Sequence, residues 1–121
     1  MKHLVLAVED EIELLELLAA QIILLGYDVI TANDGEAAYD LYIKNPEVSI
    51  LITDVVMPRG ISGSELADKI LLHNPEVKVI LTTGYSRGAL ENAGQTGSHL
   101  NTLAKPYSLS ELKSAINAAL F

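Results

Sequence analysis

Cysteine is absent from this 121-residue chain, which excludes disulfides and thiolate metal sites and makes a cytoplasmic location the default expectation. Also missing is any apolar run of about 18 residues or more, the length a helix needs to cross a bilayer. The longest candidate, around Leu14 to Leu25, is broken by Glu16 and Gln21, so no membrane span is expected. No secretory pattern shows at the start: Met1-Lys2-His3 runs directly into a short apolar stretch that stops at Glu9-Asp10-Glu11. Bases are scarce, eight against sixteen acids for a formal charge of −8, and they are scattered singly. A surface of that sign repels phosphates, so direct nucleic-acid binding is not expected.

What is present suits one folded domain spanning residues 1–121. Half of the residues are apolar and 20% are charged, enough to build a core. Two periodicities alternate along the chain. Residues 4–8, 27–32, 48–53, 78–82 and 99–103 read as strands, and 11–25, 34–45, 63–73, 86–94 and 109–120 carry helical spacing. Strands alternating with helices predict an α/β fold with a parallel sheet and helices on both faces. Ser62-x-x-Glu65 and Ser108-x-x-Glu111 have the form of capping boxes, and Asn33-x-x-Glu36 is a close variant. Gly26 supplies a stop after the first helix, and Asn45-Pro46 and Asn74-Pro75 close the second and third. The stretch 86–94 is the weak helix, with glycines at 84, 88, 94 and 97 in and around it.

Polar residues interrupt the strands in one consistent place. The first strand ends in Glu9-Asp10, the third in Asp54, the fourth in Thr82-Thr83, and the fifth is followed by Lys105-Pro106. In an open parallel sheet ligands bind outside the carboxyl ends of the strands. The sequence therefore gathers three carboxylates, a hydroxyl and an ammonium at one edge. Three close carboxylates repel unless a cation sits among them, and an all-oxygen donor set without cysteine points to Mg²⁺. A carboxylate is also a nucleophile toward phosphorus, giving an aspartyl phosphate whose oxygens a metal, Lys105 and the Thr83 hydroxyl would hold.

Val8-Glu9-Asp10-Glu11, Thr53-Asp54-Val55-Val56-Met57-Pro58, Leu81-Thr82-Thr83-Gly84-Tyr85 and Lys105-Pro106-Tyr107 resemble, in order and spacing, the four motif blocks of response-regulator receiver domains. The wording is most similar to receivers of hybrid sensor histidine kinases. The resemblance implies a three-layer flavodoxin-like (βα)5 fold with strand order 2-1-3-4-5. It implies Asp54 as phosphoacceptor, and Glu9, Asp10, Asp54 and the Val56 backbone carbonyl as Mg²⁺ ligands. Thr83 would be the switch hydroxyl, Lys105 the partner of the phosphoryl oxygens, and the Lys105-Pro106 bond cis. The donor would be a histidine kinase or a histidine phosphotransfer protein. Phosphorylation and its reversal would be self-catalysed in a chain that is no dedicated enzyme. The switch would alter the surface around 86–94, the last strand and the last helix, for a downstream protein partner. Two positions depart from the family pattern: Glu9 stands where many receivers have Asp, and Thr102 where a switch aromatic is usual, with Tyr85 a candidate substitute.

Three rival classes fit less well. A pseudo-receiver would not need Asp54, Thr83 and Lys105 together. Aspartyl phosphatases place the nucleophile in an Asp-x-Asp after the first strand, which this chain lacks, and acids after that strand repel the phosphate of a flavin nucleotide. His3, His73 and His99 share no spacing that suits a phosphohistidine, and Tyr107 reads as a packing residue. In the first helix Leu14, Leu18, Ile22 and Leu25 form a core stripe, yet Ile12, Leu17, Ile23 and Leu24 are apolar as well. That surplus either docks a histidine-bearing helix bundle or is covered by neighbouring helices.

Overall fold

A strand covered on both faces reads as an unbroken apolar run, and Val5-Leu6-Ala7-Val8, Ile50-Leu51-Ile52 and Val79-Ile80-Leu81 are all buried. The computed structural model describes residues 3–58, 60–84 and 100–121. The elements are β1 (Leu4–Val8), α1 (Ile12–Leu24), β2 (Asp28–Ala32), α2 (Gly35–Lys44), β3 (Ile50–Asp54), α3 (Gly63–His73), β4 (Lys78–Thr83), β5 (Leu100–Ala104) and α4 (Leu109–Leu120). The expected stretch 86–94 lies outside the described residues. All five strands are parallel, in the order β2-β1-β3-β4-β5, as expected.

Side chains alternate across each strand, which divides the interior into two cores. Leu6, Val8, Leu51, Val79 and Leu81 face α2 and α3, where Ala38, Tyr42, Leu66, Ala67 and Ile70 complete the packing. Val5, Ala7, Ile50, Ile52, Ile80 and Leu103 face α1 and α4, against Leu15, Leu18, Ile22, Leu112 and Ile116. The molecule is thus a three-layer α/β sandwich. Among the described residues no helix is long and apolar enough to cross a membrane.

Helix ends follow local chemistry. Both serine capping boxes form, Ser62 with Glu65 and Ser108 with Glu111. Gly26, at φ +97°, ends α1, and two backbone bonds wrap that end, Gly26 N–H to Ile23 O and Tyr27 N–H to Ile22 O. The start of α2 differs from expectation: Asp34, and not Asn33, is the N-cap, its carboxylate accepting from the Ala37 N–H at 2.7 Å. An ionised cap also opposes the positive end of the helix dipole.

The stripe on α1 is shifted too. Leu15, Leu18 and Ile22 are buried, whereas Leu14 is 40% exposed and Leu25 only partly buried. Helix α1 is apolar on nearly every side, so its composition does not fix which side faces the sheet. Ile12, Leu17, Ile23 and Leu24 remain exposed among the described residues.

Replacing Asp34 by Ala removes the cap of α2 and is expected to lower folding stability by about 1 kcal/mol. Asn33→Ala is expected to cost much less, and urea denaturation of the two variants separates the assignments.

Candidate functional site

The parallel sheet brings every strand's carboxyl end to one edge. Val8 pairs with Thr53, Asp54 with Thr82, and Thr83 with Ala104. The chain therefore leaves the sheet at Glu9, Asp54, Thr83 and Lys105 within one crevice. Backbone bonds extend the order past the strand ends: Glu9 N–H donates to Ala32 O, Val55 N–H to Thr82 O, and Lys105 N–H to Thr83 O.

Carboxylate oxygens of Glu9, Asp10 and Asp54 all lie within 4.8 Å of one another. Lys105 Nζ donates to Asp54 Oδ2 at 3.0 Å and to Glu9 Oε1 at 2.5 Å. The second Glu9 oxygen accepts from the Glu11 N–H at the start of α1. The Glu9 side chain is 5% exposed and that of Asp54 15%, so this is a charged cluster in a largely desolvated pocket. Thr83 is buried at the end of β4. Val56 lies two residues beyond Asp54 with its side chain exposed. The Lys105-Pro106 peptide is cis. Thr102 is half-buried on β5, and Tyr85 lies outside the described residues.

The electrostatics follow from this crowding. Burial pushes the Glu9 carboxyl upward, but hydrogen bonds from Lys105 and the Glu11 N–H outweigh it and hold the group below its ordinary value. Asp10 goes the other way: burial first, then Glu9 and Asp54 close by, raise it. Burial would depress Lys105, yet Glu9 and Asp54 hold its ammonium above the usual lysine value. Burial raises the Tyr107 phenol. Among the described residues one ammonium serves three carboxylates, leaving a net negative, all-oxygen pocket in which Asp10 has no cation partner. A hard divalent cation fits that donor set.

A groove of about 310 Å³ opens beside the pocket, lined by Glu9, Leu14, Leu17, Gln21, Lys105, Pro106 and Tyr107. The sequence shows the surplus of apolar residues on α1 but not that Leu14 and Leu17 meet the loop after β5. Gly63 is the other residue that sequence reasoning passes over. Its one local sign is a glycine directly after the cap Ser62, where better helix formers exist. His3 and His73 sit away from the cluster, bonded to Ser49 and to the Tyr39 hydroxyl; His99 lies outside the described residues.

Residues 5–117 match the family model described as the response regulator receiver domain. The response regulator receiver protein CpdR of Brucella abortus is 32% identical over 120 residues, covering 99% of this chain and 98% of that protein. Several other curated relatives are about twice as long, the chain covering 46% and 50% of two transcriptional regulators. Among solved structures, the response regulator protein TrrA of Thermotoga maritima, in complex with Mg²⁺-BeF, is 31% identical with a TM-score of 0.83, over 98% of this chain and 99% of that one. The receiver domain of hybrid histidine kinase CckA is 29% identical with a TM-score of 0.80, over 98% and 99%.

Glu9 contributes stability that is present above the ordinary carboxylate value and is lost as the pH falls through its lowered one. Asp10 acts oppositely: its raised value favours the fold at low pH, and that contribution is lost as the pH rises through it. Mg²⁺ is therefore expected to raise the thermal midpoint at about pH 7, and less at about pH 4, where carboxyl protons compete with the metal. Asp10→Asn should remove most of the gain at neutral pH. A gain independent of pH would contradict the assignment.

Proposed function

Because the chain belongs to the response regulator receiver domain family, we propose that Asp54 is its phosphoacceptor and that Glu9, Asp10, Thr83 and Lys105 serve that one carboxylate. The protein is a receiver domain of two-component signalling, and no dedicated enzyme. The observation that carries the residue assignment is Asp54 held 3.0 Å from the Lys105 ammonium and within 4.8 Å of the two other carboxylates.

In this reading an Asp54 carboxylate oxygen attacks the phosphorus of a phosphohistidine. The O–P bond forms as the N–P bond breaks, and the imidazole, protonated on its other ring nitrogen, leaves neutral with the electron pair on the freed nitrogen. Mg²⁺ bound by Glu9, Asp10, Asp54 and the Val56 carbonyl would neutralise phosphoryl oxygens. Lys105 exchanges its contact with the Asp54 carboxylate for one with a phosphoryl oxygen. The Thr83 hydroxyl, on the end of β4, donates to another. Later, water attacks the same phosphorus, the Asp54 O–P bond breaks, and inorganic phosphate leaves as the carboxylate is restored. Apart from Mg²⁺, the donor and water, these steps use only this chain's groups, so phosphorylation by small donors and slow hydrolysis would be self-catalysed. Because Thr83 ends β4 and Lys105 directly follows β5, the two strands that flank residues 85–99, their movement would be passed to that segment and to α4, where a downstream protein partner would read it.

The donor is read as a histidine kinase or a histidine phosphotransfer protein. The groove beside Lys105 supports this, since a helix carrying the phosphohistidine can lay apolar residues on Leu14 and Leu17 while its imidazole reaches Asp54. The formal charge of −8 argues against direct nucleic-acid contact, and the cysteine-free composition suits the cytoplasm. Residues 1–121 are taken as a single receiver domain.

Intact mass after treatment with acetyl phosphate and Mg²⁺ tests the central assignment. One phosphoryl adduct is expected, absent without Mg²⁺ and absent in Asp54→Ala; no adduct on folded, Mg²⁺-binding wild type would count against it. Leu17→Asp, at a position 55% exposed, is expected to slow transfer from the protein donor about tenfold or more while sparing acetyl phosphate. Equal effects on both donors would remove the docking role.

A further inference from the structure

On the reading that Asp54 accepts the phosphoryl group, we infer that Gly63 is a positioning residue for that transfer, its lack of a side chain letting α3 rest directly on the main chain of Asp54. A Cβ at Gly63 would lie 1.8 Å from the Asp54 carbonyl oxygen, 2.8 Å from its carbonyl carbon and 3.1 Å from Thr53 Oγ1. The nearest of these atoms belong to backbone, so no side-chain rotation relieves the overlap. Either the start of α3 or the end of β3 has to move by more than 1 Å to bring that approach to 3.0 Å.

Neither end is free to move alone. The Gly63 N–H donates to Val55 O at 2.9 Å, and the Val55 N–H donates to Thr82 O at 3.0 Å. The Thr53 hydroxyl donates to the Asp54 carbonyl at 3.1 Å. The phosphoacceptor's main chain is thus tied forward to α3, sideways to β4 and back to its own strand. The Ser62–Glu65 capping box fixes where α3 begins, so the glycine cannot slide along the loop. Thr53 and Gly63 are both buried, and no solvent fills the contact. A methyl group here would carry the Asp54 carboxylate away from Lys105 and from the other two carboxylates, whose placement depends on different strands.

This role differs from simple support of the helix. Ser62→Ala weakens the same helix start without placing an atom against Asp54. The experiment compares wild type, Gly63→Ala, Ser62→Ala and Thr53→Val for thermal midpoint, Mg²⁺ affinity and the phosphorylation rate at saturating acetyl phosphate. Folded Gly63→Ala is expected to lose on the order of tenfold to a hundredfold in rate and to bind Mg²⁺ more weakly, since displacements near 1 Å carry such penalties. Ser62→Ala should lose stability and keep its rate within about twofold, because loss of a cap acts on the helix alone. Thr53→Val, which keeps the shape and removes the bond to the Asp54 carbonyl, should fall between them. Wild-type rate and Mg²⁺ affinity in folded Gly63→Ala would overturn the inference. Should that variant not fold, a wild-type rate in Thr53→Val would overturn it equally. A wild type that takes no phosphate would instead overturn the phosphoacceptor reading, and this inference with it.

Discussion

Three carboxylates drawn within 4.8 Å of one another, with one ammonium to share among the described residues, impose the constraint on which the rest of the molecule depends. At an effective dielectric of about 20, two unit charges 4 Å apart interact by about 4 kcal/mol. Three mutual repulsions are set against the two short contacts of Lys105, and Asp10 is the group left raised. The fold holds this arrangement because each acid sits at the end of a strand or directly after one, and β1 and β3 are buried on both faces. The sandwich supplies the rigidity, and a divalent cation would supply the missing charge. The same imbalance that costs stability makes the pocket receptive to a cation.

The departure at Glu9 acquires a meaning in this setting. Its longer side chain reaches both the Lys105 ammonium and the Glu11 N–H, so one carboxylate joins the end of β1, the start of α1 and the residue after β5. An aspartate at that position is one methylene shorter and would span less of this gap. The cluster is therefore a structural junction as well as a chemical one. Lys105 is held above its usual value by the two acids it touches and is cationic at neutral pH.

The sheet was legible in the sequence for a simple physical reason. Strands buried on both faces must be apolar throughout, and Val5–Val8, Ile50–Ile52 and Val79–Leu81 stand out for that reason. Strand limits were less clear: Val48 is buried yet precedes β3, because its N–H is taken by Asn45 O in a turn. The facing of α1 was misread, with Leu14 in place of Leu15, since a helix apolar on most sides carries no phase. Asn33 and Asp34 both suit a cap, and only the bond to Ala37 distinguishes them. The acids, Thr83 and Lys105 could be placed because topology alone delivers strand ends to one edge. The groove at Tyr107 is an approach between distant segments that no local pattern records, and the glycine after Ser62 marks a position without saying that Asp54 lies against it.

Lys105 and Glu9 are 96 positions apart, and the lysine follows an edge strand that can pair only after β4 is in place. Chains emerge from the ribosome amino end first and begin to organise as they emerge. Glu9, Asp10 and Asp54 are all synthesised long before the ammonium that offsets them. A nascent chain has the acids but not the ammonium that touches two of them, so the charge cluster is completed only as the fifth strand joins the sheet.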